Sequence, residues 1–406
     1  MMKTTSEKVG SQKPNTVLGV DIGSTKIHAA ICEIDKLGGL QLKGVGNCTT
    51  EGLLKGQIKD SDLFQKSLDR AIKRAEVTAG FIPESVISTV PNYKIGFSQN
   101  SGLVTTQNGS GIIDQEDKLR CIKKAQNIVK PSDQNIIHVI PLKYRVDGKE
   151  VLNPIGLKGH HLEVDTRFIL ADQSNIQTVK QHFKTSDYAL KGLIYDALSQ
   201  GHILLSKDDR QSGTLMIDIG GYFTKISHFQ NNILSNSYVI PIGGETISSD
   251  IATCLKVTLP EAERLKIIYG NTQLSVIDSQ ETIEIVTEQG KKSIKTRYLC
   301  QIIEARVDEL FKLIQKQTDT LFNEYKTLVL AGESARLPGL KEYLQSRYAK
   351  DIKTTNPKVL EEHTDDPAYS VALGSIIYGL KVGIISYKET SHQRSIKQFF
   401  LNLLKK

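Results

Sequence analysis

Two copies of one short motif carry the chemistry of this chain. "VDIGSTK" begins at Val20 and "IDIGGYFTK" at Ile217. In the first copy Asp21 closes a β-type run, where its carboxylate can hold a hydrated Mg2+ ion. Gly23 lets the backbone approach a phosphate with no Cβ in the way. The amides of Gly23, Ser24 and Thr25, with the two hydroxyls, can ring phosphate oxygens as an anion nest. Lys26 either adds charge or points to solvent. The second copy offers Asp218, Gly220, Gly221 and Thr224 in the same way. One Asp-Ile-Gly is ordinary strand-to-turn punctuation. Two copies at corresponding places in repeated units predict a pair of hairpins gripping one polyphosphate from opposite domains, so that closure depends on the nucleotide. A third segment, "VLAGES", offers Gly332 at a strand end, where backbone can lie against adenine or ribose; Glu333 and Ser334 follow it.

The elements around these motifs repeat as well. "TVLGVDIGSTKIHAAICEI" reads as two strands joined by a turn, followed by the β-run "LQLKGVGNC" and a helix over "DSDLFQKSLDRAIKRAEVTAG" with Asp60 or Ser61 as N-cap. From Thr214 the pattern starts again, with "TLMIDIGGYFTKISHFQ", the run "NILSNSYVIP" and helices over "ETISSDIATCL" and "LPEAERLKIIYG". Residues 91–170 read differently. They hold a β-run around "GLVTTQ", a helix over "DQEDKLRCIKKAQNIV", and two long β-segments separated by the Gly/Pro loop "NPIGLKGHH". A helix from Tyr298 to about Leu321, the strand "KTLVLAGES" and a small-residue helix over "DPAYSVALGSIIYGL" complete the body.

Other chemistries find no footing. There is no GxxxxGK[ST], no GxGxxG and no HExxH. His160 and His161 read as a solvated turn, and the five scattered cysteines as reduced residues, neither a disulfide framework nor a zinc site. At 406 residues more than one domain is expected. The net charge of +7 suits an anionic partner such as lipid or nucleotide, and equally a lysine-rich solvated surface. Nucleic acid is not expected, because the interior lacks a dense basic stripe with interleaved aromatics. Residues 1–15 read as a disordered leader with no apolar signal, and no run is long and apolar enough for a transmembrane helix.

The last residues, "HQRSIKQFFLNLLKK", stand apart. Ile396, Phe399, Phe400, Leu403 and Leu404 recur at spacings of three and four, one apolar stripe of a helix edged by lysine.

These segments together resemble the actin/Hsp70/sugar-kinase ATPase superfamily and, more closely, the FtsA family of bacterial cell-division proteins. The most specific stretch is "HVIPLKYRVDGKEVLNPIGLKGHHLEVDTRFI", with "IPIGGETISSDIA", "EAERLKIIYG" and "DPAYSVALGSIIYGL" in support. The resemblance implies an α/β fold: actin-like (ribonuclease H-like) duplicated β-sheet domains with an FtsA-type 1C insertion, SHS2-like, and a subdomain 2B. The implied boundaries are 16–90 and 171–212 for subdomain 1A, 91–170 for 1C, 213–256 and 326–380 for 2A, 257–325 for 2B, 381–394 for a short linker, and 395–406 for an amphipathic membrane-targeting helix.

It further implies ATP with Mg2+, held at Asp21 and Asp218, and slow or negligible turnover. Glu263 and Lys266 lie on the helix that in relatives reaches ribose and adenine. Asp196 lies near a water-orienting position, and Glu333 replaces the usual second glycine of the adenosine loop. Tyr222 and Phe223 are bulky where relatives often have a small residue, which narrows the γ-phosphate space. "IIEARVDEL" is similar to the helix that docks FtsZ, with Arg306 as a basic contact and Val307 where some relatives carry an aromatic. The implied partners are the FtsZ C-terminal peptide, anionic inner-membrane lipid, further copies of the chain in an actin-like filament, and other division proteins through 1C. The implied location is the cytoplasmic side of the inner membrane at the septum.

On this reading the partner of the apolar stripe is the bilayer. Five large side chains give on the order of 10 kcal/mol gross, much of it offset by ordering a helix too short to form alone. A filament presenting many such tails gains by avidity. The alternatives are a PilM-like pilus-assembly protein and a small-molecule kinase of the same superfamily.

Overall fold

The computed structural model describes residues 15–35, 37–91, 94–107, 109–186, 188–319, 325–348, 351–354 and 366–385. The apolar stripe at Ile396, Phe399, Phe400, Leu403 and Leu404 lies outside the described residues, as does the leader but for Asn15.

Two five-stranded sheets have one topology. In the first, Leu40–Thr49, Lys26–Ile34 and Asn15–Ile22 form an antiparallel meander, and Ser85–Thr89 and Ala189–Ile194 continue it in parallel. In the second, Ile233–Ile240, Thr224–Gln230 and Thr214–Ile219 form the meander, and Thr327–Ala331 and Asp351–Thr354 continue it. The physical cause is the same in both. The central strands are nearly continuous apolar runs, buried from Val17 to Val20 and from Thr214 to Ile217, as strands covered on both faces must be. The polar turn residues break each run at the same place and so fix the two hairpins.

Helix Ser61–Ala79 covers the first sheet; Asp60 caps it by accepting from the Leu63 amide at 3.0 Å, and Gly80 ends it in the left-handed region. Helices Asp196–Ile203 and Ser370–Val382 pack on each other between the sheets, in a core that includes Tyr195, Phe229 and Ile376. Sequence periodicity reads "LKGLIYDALSQGHILL" as one apolar run. The fold divides it into strand Ala189–Ile194 and the helix that starts at Asp196.

The region between the two segments of the first domain forms its own four-stranded sheet, ordered Gly96–Thr105, His161–Asp172, Gln134–Val146, Lys149–Val151. Helix Gln115–Ala125 packs on it through Cys121 and Ala125. The helix is shorter than expected: Asn100 Nδ2 donates to the Ala125 carbonyl at 3.0 Å, which satisfies a terminal acceptor and lets the chain turn away. His160 and His161 are exposed, and both their amides donate to Asp147. In the second domain, hairpin Thr282–Thr287/Gly290–Lys295 and helices Leu259–Tyr269 and Thr296–Thr318 form an outlying layer. No described helix is long and apolar enough to cross a membrane.

Candidate functional site

The turns of both hairpins open on one cavity of about 450 Å³ between the two sheets. Asp21, Gly23, Ser24, Thr25 and Lys26 line it from the first domain, and Asp218, Gly220 and Gly221 from the second. The hairpins touch. A Cβ placed on Gly221 would stand 2.4 Å from the Thr25 methyl, closer than any side chain tolerates, so glycine at this position is what allows the approach. Thr224 is placed otherwise than expected. It is wholly buried, and its hydroxyl donates to the Ile242 carbonyl at 2.8 Å, because its place in the strand turns it into the core and away from the cavity.

The remaining expected residues come from distant segments. Gly332 enters at φ +88°, and a Cβ there would lie 2.4 Å from Asp218 Oδ1. Glu333 and Ser334 line the same wall; Ser334 Oγ donates to the Gly220 carbonyl at 3.3 Å. Lys266 Nζ sits 2.6 Å from Glu263 Oε2 and donates to the Gly244 carbonyl at 3.0 Å, so this pair is already knit to the start of helix Gly244–Leu255. Across the mouth, Lys26 Nζ lies 2.7 Å from Glu333 and His28 Nε2 lies 3.7 Å from the other oxygen of that carboxylate. Burial lowers the His28 pKa, and Glu333 opposes the shift.

At the floor stand three carboxylates and one ammonium. Asp196, the first residue of its helix, is buried; its Oδ1 accepts from the Ala197 amide at 2.8 Å and its Oδ2 from Lys225 Nζ. Burial, with the neighbouring Asp196 charge, pushes the Asp21 carboxyl up to about 7. Burial likewise raises Asp218 to about 6, against the pull of Lys225. Burial alone would depress Lys225, but Asp196 and Asp218 outweigh it and hold the ammonium above the usual lysine range. Sequence reasoning missed Lys225, Gln200 and His28, all of which line the cavity. One signal was available. Asp218 and Lys225 are register partners across their hairpin, as Asp21 and His28 are across theirs, so each pair shares a face.

The inserted sheet reaches the same spot. His138 Nε2 accepts from the Tyr195 amide at 2.8 Å, immediately before Asp196, and the Tyr195 hydroxyl meets Ser237 Oγ at 2.7 Å in the second domain. Arg306 is elsewhere, on the outlying helix. Its guanidinium is bound by Asp250 at 2.5 and 3.0 Å and by Glu309 at 2.6 Å, while Val307 is buried beneath it.

The oxygen donors Asp21 and Asp218 suit a magnesium ion that keeps most of its waters and shares the rest of its shell with phosphates. Among the described residues no group of three or more His, Cys, Asp or Glu could hold a metal unaided.

Paired sheets of one topology closing on a cleft between two Asp-Gly hairpins define an actin-like protein. Solved structures share the fold: a PilM-PilN type IV pilus biogenesis complex is 16% identical, with a TM-score of 0.65 over 90% of this chain and 98% of that one. MreB 5 of Spiroplasma citri bound to AMPPNP is 13% identical, with a TM-score of 0.54 over 96% and 99%. Two family models match, "Cell division protein FtsA" over residues 215–374 and "SHS2 domain inserted in FTSA" over residues 93–170. The chain is 29% identical over 380 residues to the cell division protein FtsA of Bacillus subtilis, covering 90% of this chain and 86% of that one. For the FtsA of Pseudomonas aeruginosa the figures are 26% over 381 residues, 91% and 90%. The chain belongs to the FtsA family of bacterial cell-division proteins.

Proposed function

We propose that this chain is an ATP-binding, actin-like division protein that polymerises at the cytoplasmic face of the inner membrane, at the septum, and tethers FtsZ filaments there. The observation that carries the nucleotide part is the contact of Gly221 with Thr25, which sets two phosphate-loop hairpins against each other across one cavity. Gly23, Ser24 and Thr25 would hold phosphate oxygens from one side and Gly220 and Gly221 from the other, with adenosine toward Glu263, Lys266 and Gly332. Magnesium would neutralise phosphate charge, held through Asp21 and Asp218. Turnover is slow or negligible: the Asp196 carboxylate is engaged by Lys225 and by its own helix amide, which leaves it poorly placed to orient water.

Membrane attachment would rest on the apolar stripe at Ile396, Phe399, Phe400, Leu403 and Leu404, whose spacing is that of one helical face, and filament formation would bring many stripes to one surface. Arg306 would meet the FtsZ C-terminal peptide after exchanging Asp250, and the inserted sheet would receive other division proteins.

A pelleting assay on anionic vesicles with the FtsZ C-terminal peptide tests the whole. The chain is expected to carry the peptide down with the vesicles, more so with ATP. A Gly221→Trp variant, which fills the cleft at Thr25, should lose the ATP effect. Peptide that stays in the supernatant under every condition sinks the tethering role.

A further inference from the structure

We propose that Arg167, on the inserted sheet, is a positioning residue for the cleft: it pins the edge strand of the second sheet and so fixes how the two phosphate hairpins meet. The inference rests on the nucleotide reading above and names what holds that site in register.

Ile233–Ile240 is an edge strand of its sheet, so its outer carbonyls have no strand to pair with. Its pairing slips once, between His228 and Phe229, and Ser235 is left without a register partner. The Ser235 hydroxyl donates to the His228 carbonyl at 2.9 Å, which holds this bulge in shape. At the bulge Arg167 Nη1 donates to the Leu234 carbonyl at 3.1 Å and to the Ser235 carbonyl. Gln99 opposes Arg167 in register, and its amide oxygen, turned to the guanidinium, accepts from Nε at 3.2 Å. Burial disfavours the Arg167 charge, and no carboxylate among the described residues offsets that cost.

Three bonds cross between the domains in order along one hairpin. Arg167 meets Leu234 and Ser235, the Tyr195 hydroxyl meets Ser237 Oγ at 2.7 Å, and Asp196 meets Lys225, whose register partner is Val239. From Ser235 to Val239 the strand runs about 13 Å, toward the floor of the cleft. Gly220 and Gly221 stand in the turn that opens Lys225's own strand. His138 ties the inserted sheet to this line by accepting from the Tyr195 amide at 2.8 Å. A slip of the second sheet at Arg167 therefore displaces Gly220 and Gly221 against Thr25, because a close-packed sheet passes strain along its strands. A shift of about 1 Å in a binding group is enough to weaken its hold.

The test is the rate at which the full chain releases a fluorescent ATP analogue in excess magnesium, measured beside the thermal midpoint of the nucleotide-free protein. Arg167→Met should speed release by about fivefold or more and leave association within about twofold. Arg167→Lys, which can still donate to a carbonyl, should recover part of that loss. Ser237→Ala, which cuts the neighbouring bond, should also speed release, and the two changes together should give less than the product of their separate effects. A midpoint that falls in Arg167→Met while release stays at the wild-type rate overturns the proposal: Arg167 would then only anchor the inserted sheet. A wild-type chain that binds no analogue overturns the nucleotide reading, and the inference with it. If Arg167→Met fails to fold, Ser237→Ala decides, and release at the wild-type rate in that variant overturns the proposal.

Discussion

Lys26 and Glu333, 307 positions apart in the chain, form an ion pair of 2.7 Å across the mouth of the cleft. It joins the first hairpin to the loop after strand Thr327–Ala331, and so joins the two domains. Both side chains are close to half exposed, 49% and 43%, so the bond adds little to stability, about 0–1 kcal/mol. Its weight falls on the cleft. On the proposed reading, Glu333 neutralises Lys26 and adds negative charge where the nucleotide would enter. Glu333→Gln should therefore tighten nucleotide binding by about two- to fivefold, with the thermal midpoint almost unchanged; calorimetric titration beside a melting curve checks both.

Gly221→Ala should loosen the clamp. The added methyl has no room beside Thr25, so the hairpins must part, and nucleotide affinity should fall by about tenfold while the separate domains stay folded. Thr25→Ser removes the clashing methyl and keeps the hydroxyl. Combined with Gly221→Ala, it should recover part of the loss in the same titration. Additive losses in the double variant would show that the two residues do not meet in the closed protein.

Acid should unfold the protein through two buried histidines. Burial lowers His138 to about 4 and, together with the nearby Lys381 charge, His202 to about 3. Each is neutral in the fold and takes up a proton on unfolding below its ordinary value of 6.5. Their stability contribution is thus complete above that value and is lost as pH falls toward about 4 and then about 3. His138→Gln keeps an acceptor for the Tyr195 amide and should flatten this acid arm in melting curves taken across pH.

Asp21 and Asp218 act in the opposite direction. Their raised values mean that stability declines as pH climbs from 3.8 through about 6 and about 7. Asp21→Asn should raise the melting temperature of the nucleotide-free protein at neutral pH and have no such effect near pH 4. A variant that melts earlier at neutral pH would mean that the ionised carboxylate is stabilising.

Two surface predictions separate the partners. Deleting residues 395–406 should abolish vesicle pelleting and leave nucleotide binding untouched. Asp250→Asn removes the charge partner of Arg306 Nε and Nη2, leaving Glu309 on Nη1, and should strengthen FtsZ-peptide binding a fewfold in solution, whereas Arg306→Ala should weaken it by about tenfold. Equal effects of the two substitutions would remove Arg306 from the contact.

Much of this was written locally in the chain. The strands, the turns that end them at Asp21 and Asp218, and the repeat itself follow from continuous apolar runs interrupted by glycine and small polar residues, and such periodicity is a property of neighbours in sequence. The inserted unit between the two halves of the first domain was legible for the same reason. What only the tertiary structure decided were relations between distant segments. Thr224 looks like a phosphate ligand by analogy with Thr25, yet the strand's pleat turns it into the core. Asp196 sits inside an apolar run, and only the packing of its helix under Ser370–Val382 brings it to Lys225. Lys225 reads as an ordinary strand lysine until three carboxylates converge on it. Arg306 reads as a free basic contact until Asp250 claims it. A side chain's charge is set by its type, but its partner is set by which segments the fold brings within a few ångströms, and no local pattern encodes that distance.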